Sequence, residues 1–144
     1  MIALIQRVSR AEVRVEERIA GAIGSGVLAL VGIKRSDDTD SANRLLERIL
    51  TYRIFPDAEG KMNLSLRDTR GGLLLVPQFT LAADTQKGTR AGFSTAAPQD
   101  QARHLFGYLA GRARAAHSPT ATGEFGAHMH VSLTNDGPVT FWLE

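Results

Sequence analysis

The chain has 144 residues, of which 43% are hydrophobic and 22% charged, a balance that fits one folded globular domain and excludes a disordered or fibrous chain. It contains no cysteine, which excludes disulfides, thiolate zinc sites and a cysteine nucleophile. A formal net charge of +2 permits a nucleic-acid partner without arguing for one, because the basic residues are scattered and build no obvious phosphate patch.

Residues 1–15 are rich in β-branched and aliphatic side chains, with Ile5, Val8, Val13 and Val15 spaced for a long or bent strand. The start lacks the basic-then-apolar layout of a signal peptide, and no apolar run approaches the roughly 18 residues of a membrane helix. A cytoplasmic protein without membrane contact is expected. Gly21, Gly24 and Gly26 punctuate the next segment. They resemble a phosphate loop only superficially, since no Lys-Ser/Thr and no helix follow, and they read as a turn. Val27 to Ile33 is a continuous apolar run of strand length, as in a strand buried on both faces.

Ser36-Asp37-Asp38-Thr39 supplies N-cap candidates, with Asp40 suited to a first helical turn. Ala42, Leu45, Leu46, Ile49 and Leu50 then form one apolar stripe that should pack on the sheet. Pro56 to Gly60 reads as a loop, Lys61 to Leu66 as a short edge strand or ordered loop, and Arg70-Gly71-Gly72 as a turn. Leu73-Leu74-Leu75-Val76 reads as a buried strand that should end or bulge at Pro77, leaving Gln78 and Thr80 at a strand end where polar groups reach a ligand. Residues 82–97 make a connection long enough to suggest function. Pro98 opens a second helix with an apolar stripe of Ala102, Leu105, Phe106, Leu109, Ala110 and Ala113. Residues 122–134 are strand-like toward their end. Asn135-Asp136-Gly137-Pro138 concentrates turn formers between the expected strands Met129–Thr134 and Val139–Leu143. On its own this reads as a hairpin turn, at which proline makes a cis peptide accessible. No linker or repeat divides residues 1–144, so one domain is expected.

Familiar catalytic patterns are missing. There is no Gly-x-Ser-x-Gly elbow. His128 and His130 would share one face of a strand but lack a third ligand, so no metal site is expected. His104 should lie on a helix surface and His117 just after that helix, neither with a recognisable acid–base partner.

What remains is two constellations, Pro77-Gln78-Phe79-Thr80-Leu81 and Asn135-Asp136-Gly137-Pro138-Val139-Thr140. Together they resemble the Ser-Gln-x-Thr-Leu and Asn-x-Gly-Pro-x-Thr motifs of the D-aminoacyl-tRNA deacylases. The likeness extends over essentially the whole chain, through Ala3-Leu4-Ile5-Gln6-Arg7-Val8, Gly60-Lys61-Met62-Asn63, Thr122-Gly123 with Phe125-Gly126-Ala127 and Met129, and the Phe-Trp-Leu ending. Two departures stand out. Pro77 occupies the position of the motif serine, and Arg90-Ala91-Gly92-Phe93 replaces an Arg-Pro-Ser-Phe segment.

The resemblance implies a mixed α/β (α+β) fold, a mainly antiparallel barrel-like sheet with two helices packed outside. It implies a homodimeric, cofactor-free, metal-free enzyme that hydrolyses the ester of D-aminoacyl-tRNA, or of mischarged glycyl-tRNA, as chirality proofreading in translation. DNA is not an expected partner; the aminoacyl-tRNA 3′ end is. A cis Gly137-Pro138 turn of one subunit would enter the partner's site and exclude L-amino acids. Backbone N–H groups near Phe79 and Thr80 would stabilise the oxyanion, with Gln78 beside them, and Thr80 would act as a supporting residue or, alternatively, as a nucleophile. Pro77, Gly137 and Pro138 would border the substrate. Phe125 and Met129 would line an adenosine pocket or else serve as plain core packing, and Arg7 would brace the Gly-Pro turn. A catalytically weak or silent tRNA-binding relative, with Pro77 as the lesion, is the alternative, and a bare dimerisation module is a third.

Overall fold

The apolar alternation of the first fifteen residues becomes one bent strand, β1 (Ile2–Val15), around which the sheet is assembled. The computed structural model describes residues 1–144. The chain reverses at Glu16-Glu17, with Glu16 in the left-handed region at φ 55°. It returns along β1 as β2 (Arg18–Ile23) and then β3 (Gly26–Gly32), both antiparallel to β1. Gly21, Gly24 and Gly26 therefore do not form the expected turn: they lie in the returning arm of a long hairpin, interrupted only at Gly24-Ser25. The reason for glycine is close approach of backbone. A Cβ on Gly26 would stand 1.9 Å from the Gly72 carbonyl oxygen, and one on Gly21 would stand 2.5 Å from that of Thr122.

Beyond β3 the sheet continues in parallel with β6 (Gly72–Pro77) and β7 (Thr120–Thr122). β7 then comes up against β2 at Gly21, which nearly closes the barrel. The last strand, β8 (His130–Leu143), runs antiparallel to β1 on its other side. The sheet is thus antiparallel around β1 and parallel from β3 to β7. A small two-stranded ribbon, β4 (Phe55–Pro56) with β5 (Met62–Leu64), lies apart from it.

The central strands are buried on both faces, and their two periodicities fill two cores. Val27, Ala29 and Val31 of β3, with Leu73 and Leu75 of β6, face the helices. Leu28, Leu74 and Val76 point the other way, with Val8, Val13 and Ile23, into the barrel. The helices α1 (Thr39–Thr51) and α3 (Gln99–Ala116) cover the first face through the stripes expected of them. Burying each such leucine or isoleucine stabilises the fold by about 1.5–3 kcal/mol relative to exposure. Between them a third helix of one turn, α2 (Leu66–Thr69), was not apparent in the sequence. Its start is fixed by Ser65 and Asp68, each bonding the other's backbone N–H. No helix is long and apolar enough to cross a membrane.

Candidate active site

The site begins where β6 runs out. Gln78 N–H donates to the Val31 carbonyl at 2.7 Å, so even-numbered residues at this end of β6 bond to β3. Odd-numbered ones face the other neighbour: Leu73 N–H donates to Pro119 and Leu75 accepts from Gly123. Pro77 is odd and lies beyond the last β6–β7 pair, Leu75 with Thr122. Its missing N–H therefore costs no bond to β3, which is how a proline is accommodated at a strand end.

The chain then tightens into a single 3₁₀ turn, Phe79–Ala82. Its first bond is donated by Leu81 to Gln78 O at 3.2 Å, which leaves the N–H groups of Phe79 and Thr80 ahead of the ladder. The Gln78 side-chain amide donates to Thr80 Oγ1, the one side-chain partner that hydroxyl has. No titratable group hydrogen-bonds to it.

Facing this strand end is an arch, residues 123–129. Gly123 N–H is tied to Leu75 O at 2.8 Å, and Glu124 is ion-paired with Arg18. The Met129 sulfur accepts from Glu124 N–H at 3.4 Å, and Met129 also packs at the end of the barrel core. Phe125 is held on two sides: its ring centroid is 6.3 Å from that of Phe106, and the Arg103 guanidinium lies 4.9 Å above it. Strand end and arch enclose a groove of about 790 Å³. Pro77, Gln78, Phe79, Phe125 and Met129 all line it, although they come from two segments nearly fifty residues apart. Thr80 sits just outside the lining, on the exposed face of its turn.

The stretch Asn135–Thr140 behaves differently from the expected hairpin turn. Both flanks pair with β1 in the same direction: Val8 faces Asn135, and Gln6 faces Thr140. Two steps along β1 thus answer five along β8, so the segment is a wide bulge thrown out of one continuous strand. The Asn135 side chain clamps its base, donating to Val139 O at 3.2 Å and Thr140 Oγ1 at 3.0 Å while accepting from Val139 N–H at 2.7 Å. Arg7, opposite the bulge, donates from Nε to Asp136 O and from Nη1 to Ile54 O, both at 2.7 Å. The Gly137–Pro138 peptide is cis. Gly137, Pro138 and Arg7 do not line the groove. One chain therefore presents two separate constellations.

Arg35 and Arg103 carry no signal in the sequence, and Phe93 stands there only as the last residue of the Arg90-Ala91-Gly92-Phe93 departure. Arg35 is the one charged side chain of the lining, and Phe93 stands against Phe79 with ring centroids 5.3 Å apart. Arg103, behind Phe125, belongs to the exposed face of α3. The apolar periodicity of α3 was visible in the sequence, but which polar residue would overhang the arch was not. His128 joins the lining and its ring meets that of His130 edge-on at 5.2 Å; no group of three or more His, Asp or Glu side chains gathers around them. His117 bonds the Gly71 carbonyl at 2.6 Å and so has a structural partner.

Residues 4–144 match the family described as D-Tyr-tRNA(Tyr) deacylase. A protein of Thioalkalivibrio sulfidiphilus named D-aminoacyl-tRNA deacylase is 65% identical over 144 residues, covering 100% of this chain and 97% of that one. A protein of the same name from Cronobacter sakazakii is 57% identical, covering 100% and 99%. Among solved structures, a chain described as c-Myc DNA Unwinding Element Binding Protein superposes with a TM-score of 0.95 at 37% identity, covering 100% and 98%. A probable eukaryotic D-amino acid tRNA deacylase shares the fold, with a TM-score of 0.84 at 15% identity and coverage of 99% and 97%.

Proposed function

We propose, from the premise that this chain belongs to the D-Tyr-tRNA(Tyr) deacylase family, a mechanism for its groove. The enzyme is a D-aminoacyl-tRNA deacylase, an ester hydrolase that removes D-amino acids from tRNA. The observation that carries the site assignment is the single groove in which Gln78 and Phe79 meet Phe125 and Met129.

An aminoacyl ester is already activated, so the protein's task is to position it and to stabilise the developing negative charge. The terminal adenosine lies against Phe125 and Met129, which places the ester at the end of β6. Water adds to the carbonyl carbon, and the N–H groups of Phe79 and Thr80 receive the oxyanion. The carbon–oxygen bond to the ribose then breaks, and the ribose oxygen takes up a proton. The substrate's neighbouring 2′-hydroxyl assists the attack. Thr80 supports Gln78 and is not the nucleophile, because no base touches its hydroxyl.

Stereochemistry is assigned to the bulge. Gly137 and Pro138 of one subunit of a homodimer reach the groove of the other, where their carbonyls exclude an L side chain sterically; D side chains and glycine pass. Two features support this reading. The bulge is braced by Arg7 and Asn135, as a rigid backbone filter requires, and it does not line the groove of its own chain. Selection by exclusion needs nothing of the accepted substrate beyond the absence of a clash. The place of Pro77 in the ladder supports an active enzyme over a silent relative, since the proline breaks no bond of the β3–β6 pair.

The test is hydrolysis of D-tyrosyl-tRNA beside L-tyrosyl-tRNA by purified protein in metal-free buffer. Rapid loss of the D ester alone is expected. Binding of charged tRNA with turnover of neither ester would establish the silent relative, and Pro77→Ser would be the first reversion.

A further inference from the structure

The adenosine assignment leaves part of the groove unused. Its lip carries two large aromatic side chains in the open: Phe79 is 60% and Phe93 44% exposed, and their centroids are 5.3 Å apart at an interplanar angle of 38°. Exposed phenylalanines paired in this way are not core packing. Beside them is Arg35, the only charged side chain of the lining.

These groups are held together by the backbone. Arg35 N–H donates to Thr95 O at 2.9 Å, Ala97 N–H donates to Ile33 O at 3.0 Å, and Lys34 bridges Ala96. The Gln101 side chain donates to Arg35 O at 3.0 Å, and Arg35 Nε donates to Ser94 O at 3.2 Å. The segment bearing Phe93 is therefore zipped to the segment bearing Arg35, and the ring and the guanidinium keep a fixed spacing. An aromatic face beside a tethered cation is the arrangement that takes a base and its phosphate from a single strand.

We infer that Phe93, against Phe79, and Arg35 form a second nucleotide subsite, which stacks the base preceding the terminal adenosine and binds the phosphate that joins the two nucleotides. The inference rests on the adenosine lying against Phe125 and Met129. Every tRNA ends in cytidine-cytidine-adenosine, so the base is a cytosine, and the contact is one of stacking and charge rather than of base-edge readout. The subsite would let the enzyme grip the strand ahead of the ester irrespective of which amino acid it carries.

The probes are adenosine, adenosine 5′-monophosphate and the dinucleotide cytidylyl-(3′→5′)-adenosine, titrated calorimetrically against the native protein and against Phe93→Ala, Phe93→Trp and Arg35→Met. The native protein should bind the dinucleotide more tightly than the monophosphate, and the monophosphate more tightly than adenosine. Phe93→Ala should weaken the dinucleotide about ten-fold and leave the other two unchanged, and Phe93→Trp should restore it. Arg35→Met should remove the advantage of the monophosphate over adenosine. Equal affinities of the native protein for monophosphate and dinucleotide, or equal losses of both in Phe93→Ala, would overturn the subsite. So would a fall in the sedimenting mass of Phe93→Ala, which would place the aromatic pair in an interface between copies. Absence of adenosine binding in every variant would instead refute the groove assignment itself.

Discussion

Thr80 is the residue on which two chemistries divide. Its hydroxyl accepts from the Gln78 amide and meets no histidine, lysine or carboxylate, so nothing is placed to take its proton. A supporting hydroxyl contributes about one hydrogen bond, worth roughly 0.5–1.5 kcal/mol, whereas a nucleophile is indispensable. Thr80→Ala should therefore lower kcat/KM for D-tyrosyl-tRNA by about ten-fold or less, measured alongside a circular dichroism spectrum that shows native folding. Complete loss of turnover in the folded variant would restore Thr80 as nucleophile. At this scale the sequence spoke clearly where a residue type is unusual for its setting. Proline after four buried aliphatic residues marked the strand end, and glutamine beyond it marked the polar lip. Arg35 carried no such signal, and Phe93 was marked only as the end of the Arg90-Ala91-Gly92-Phe93 departure. An arginine in a loop and a phenylalanine in a long connection acquire meaning only from the Arg35–Thr95 and Ile33–Ala97 bonds that bring them side by side.

At the scale of elements, the helices were legible because a helix carries its own evidence: a cap, a stripe and a stop within a dozen residues. The stripe of α1 is buried as its spacing required, and its start is a reciprocal box in which Asp38 and Ser41 each accept from the other's backbone. The bulge at Asn135–Thr140 and the glycines of β2 and β3 differ from the turns expected of them for the opposite reason. Whether a turn-forming stretch reverses the chain or only bows out of it is decided by the partner strand, and β1 lies more than a hundred residues from Asn135. The box also makes a prediction. The Ser41 N–H, and then its hydroxyl, hold the Asp38 carboxyl below the usual aspartate range, so this carboxyl stays charged to lower pH in the folded chain than in the unfolded one. Its capping contribution is then complete above the ordinary aspartate value of about 3.9 and is lost as pH falls through the depressed folded value. Asp38→Asn keeps an acceptor for Ser41 N–H but has no proton to gain. The difference in thermal midpoint between parent and Asp38→Asn should be constant from pH 8 to pH 5, then shift in favour of the asparagine variant below about pH 4. A difference that stays level down to pH 3 would show that Asp38 does not titrate with folding.

At the scale of the whole molecule, the two motifs that stand out in the sequence occupy different places. Gln78 and Phe79 open into the groove, while Gly137 and Pro138 project from β8 outside it. β8 has β1 on one side and no other strand in the chain, and it carries the exposed Leu133 and Trp142. If the filter acts on the groove of a second copy, the two functions must be separable and must complement each other. In Gly137→Ala the new methyl would stand 2.6 Å from Val139 N, which forces the bulge to shift, so hydrolysis of L-tyrosyl-tRNA should become measurable. Ala127→Trp would fill the groove with an indole and abolish turnover while leaving the bulge intact. A mixed dimer of the two places the intact groove of the first opposite the intact bulge of the second, and the blocked groove opposite the altered bulge. Its remaining activity should reject L-tyrosyl-tRNA as the parent does, read from differently tagged subunits purified as the mixed species. Continued hydrolysis of the L ester by that species would mean that each bulge guards its own chain's groove, and the filter would have to be sought in a movement of β8 within one subunit.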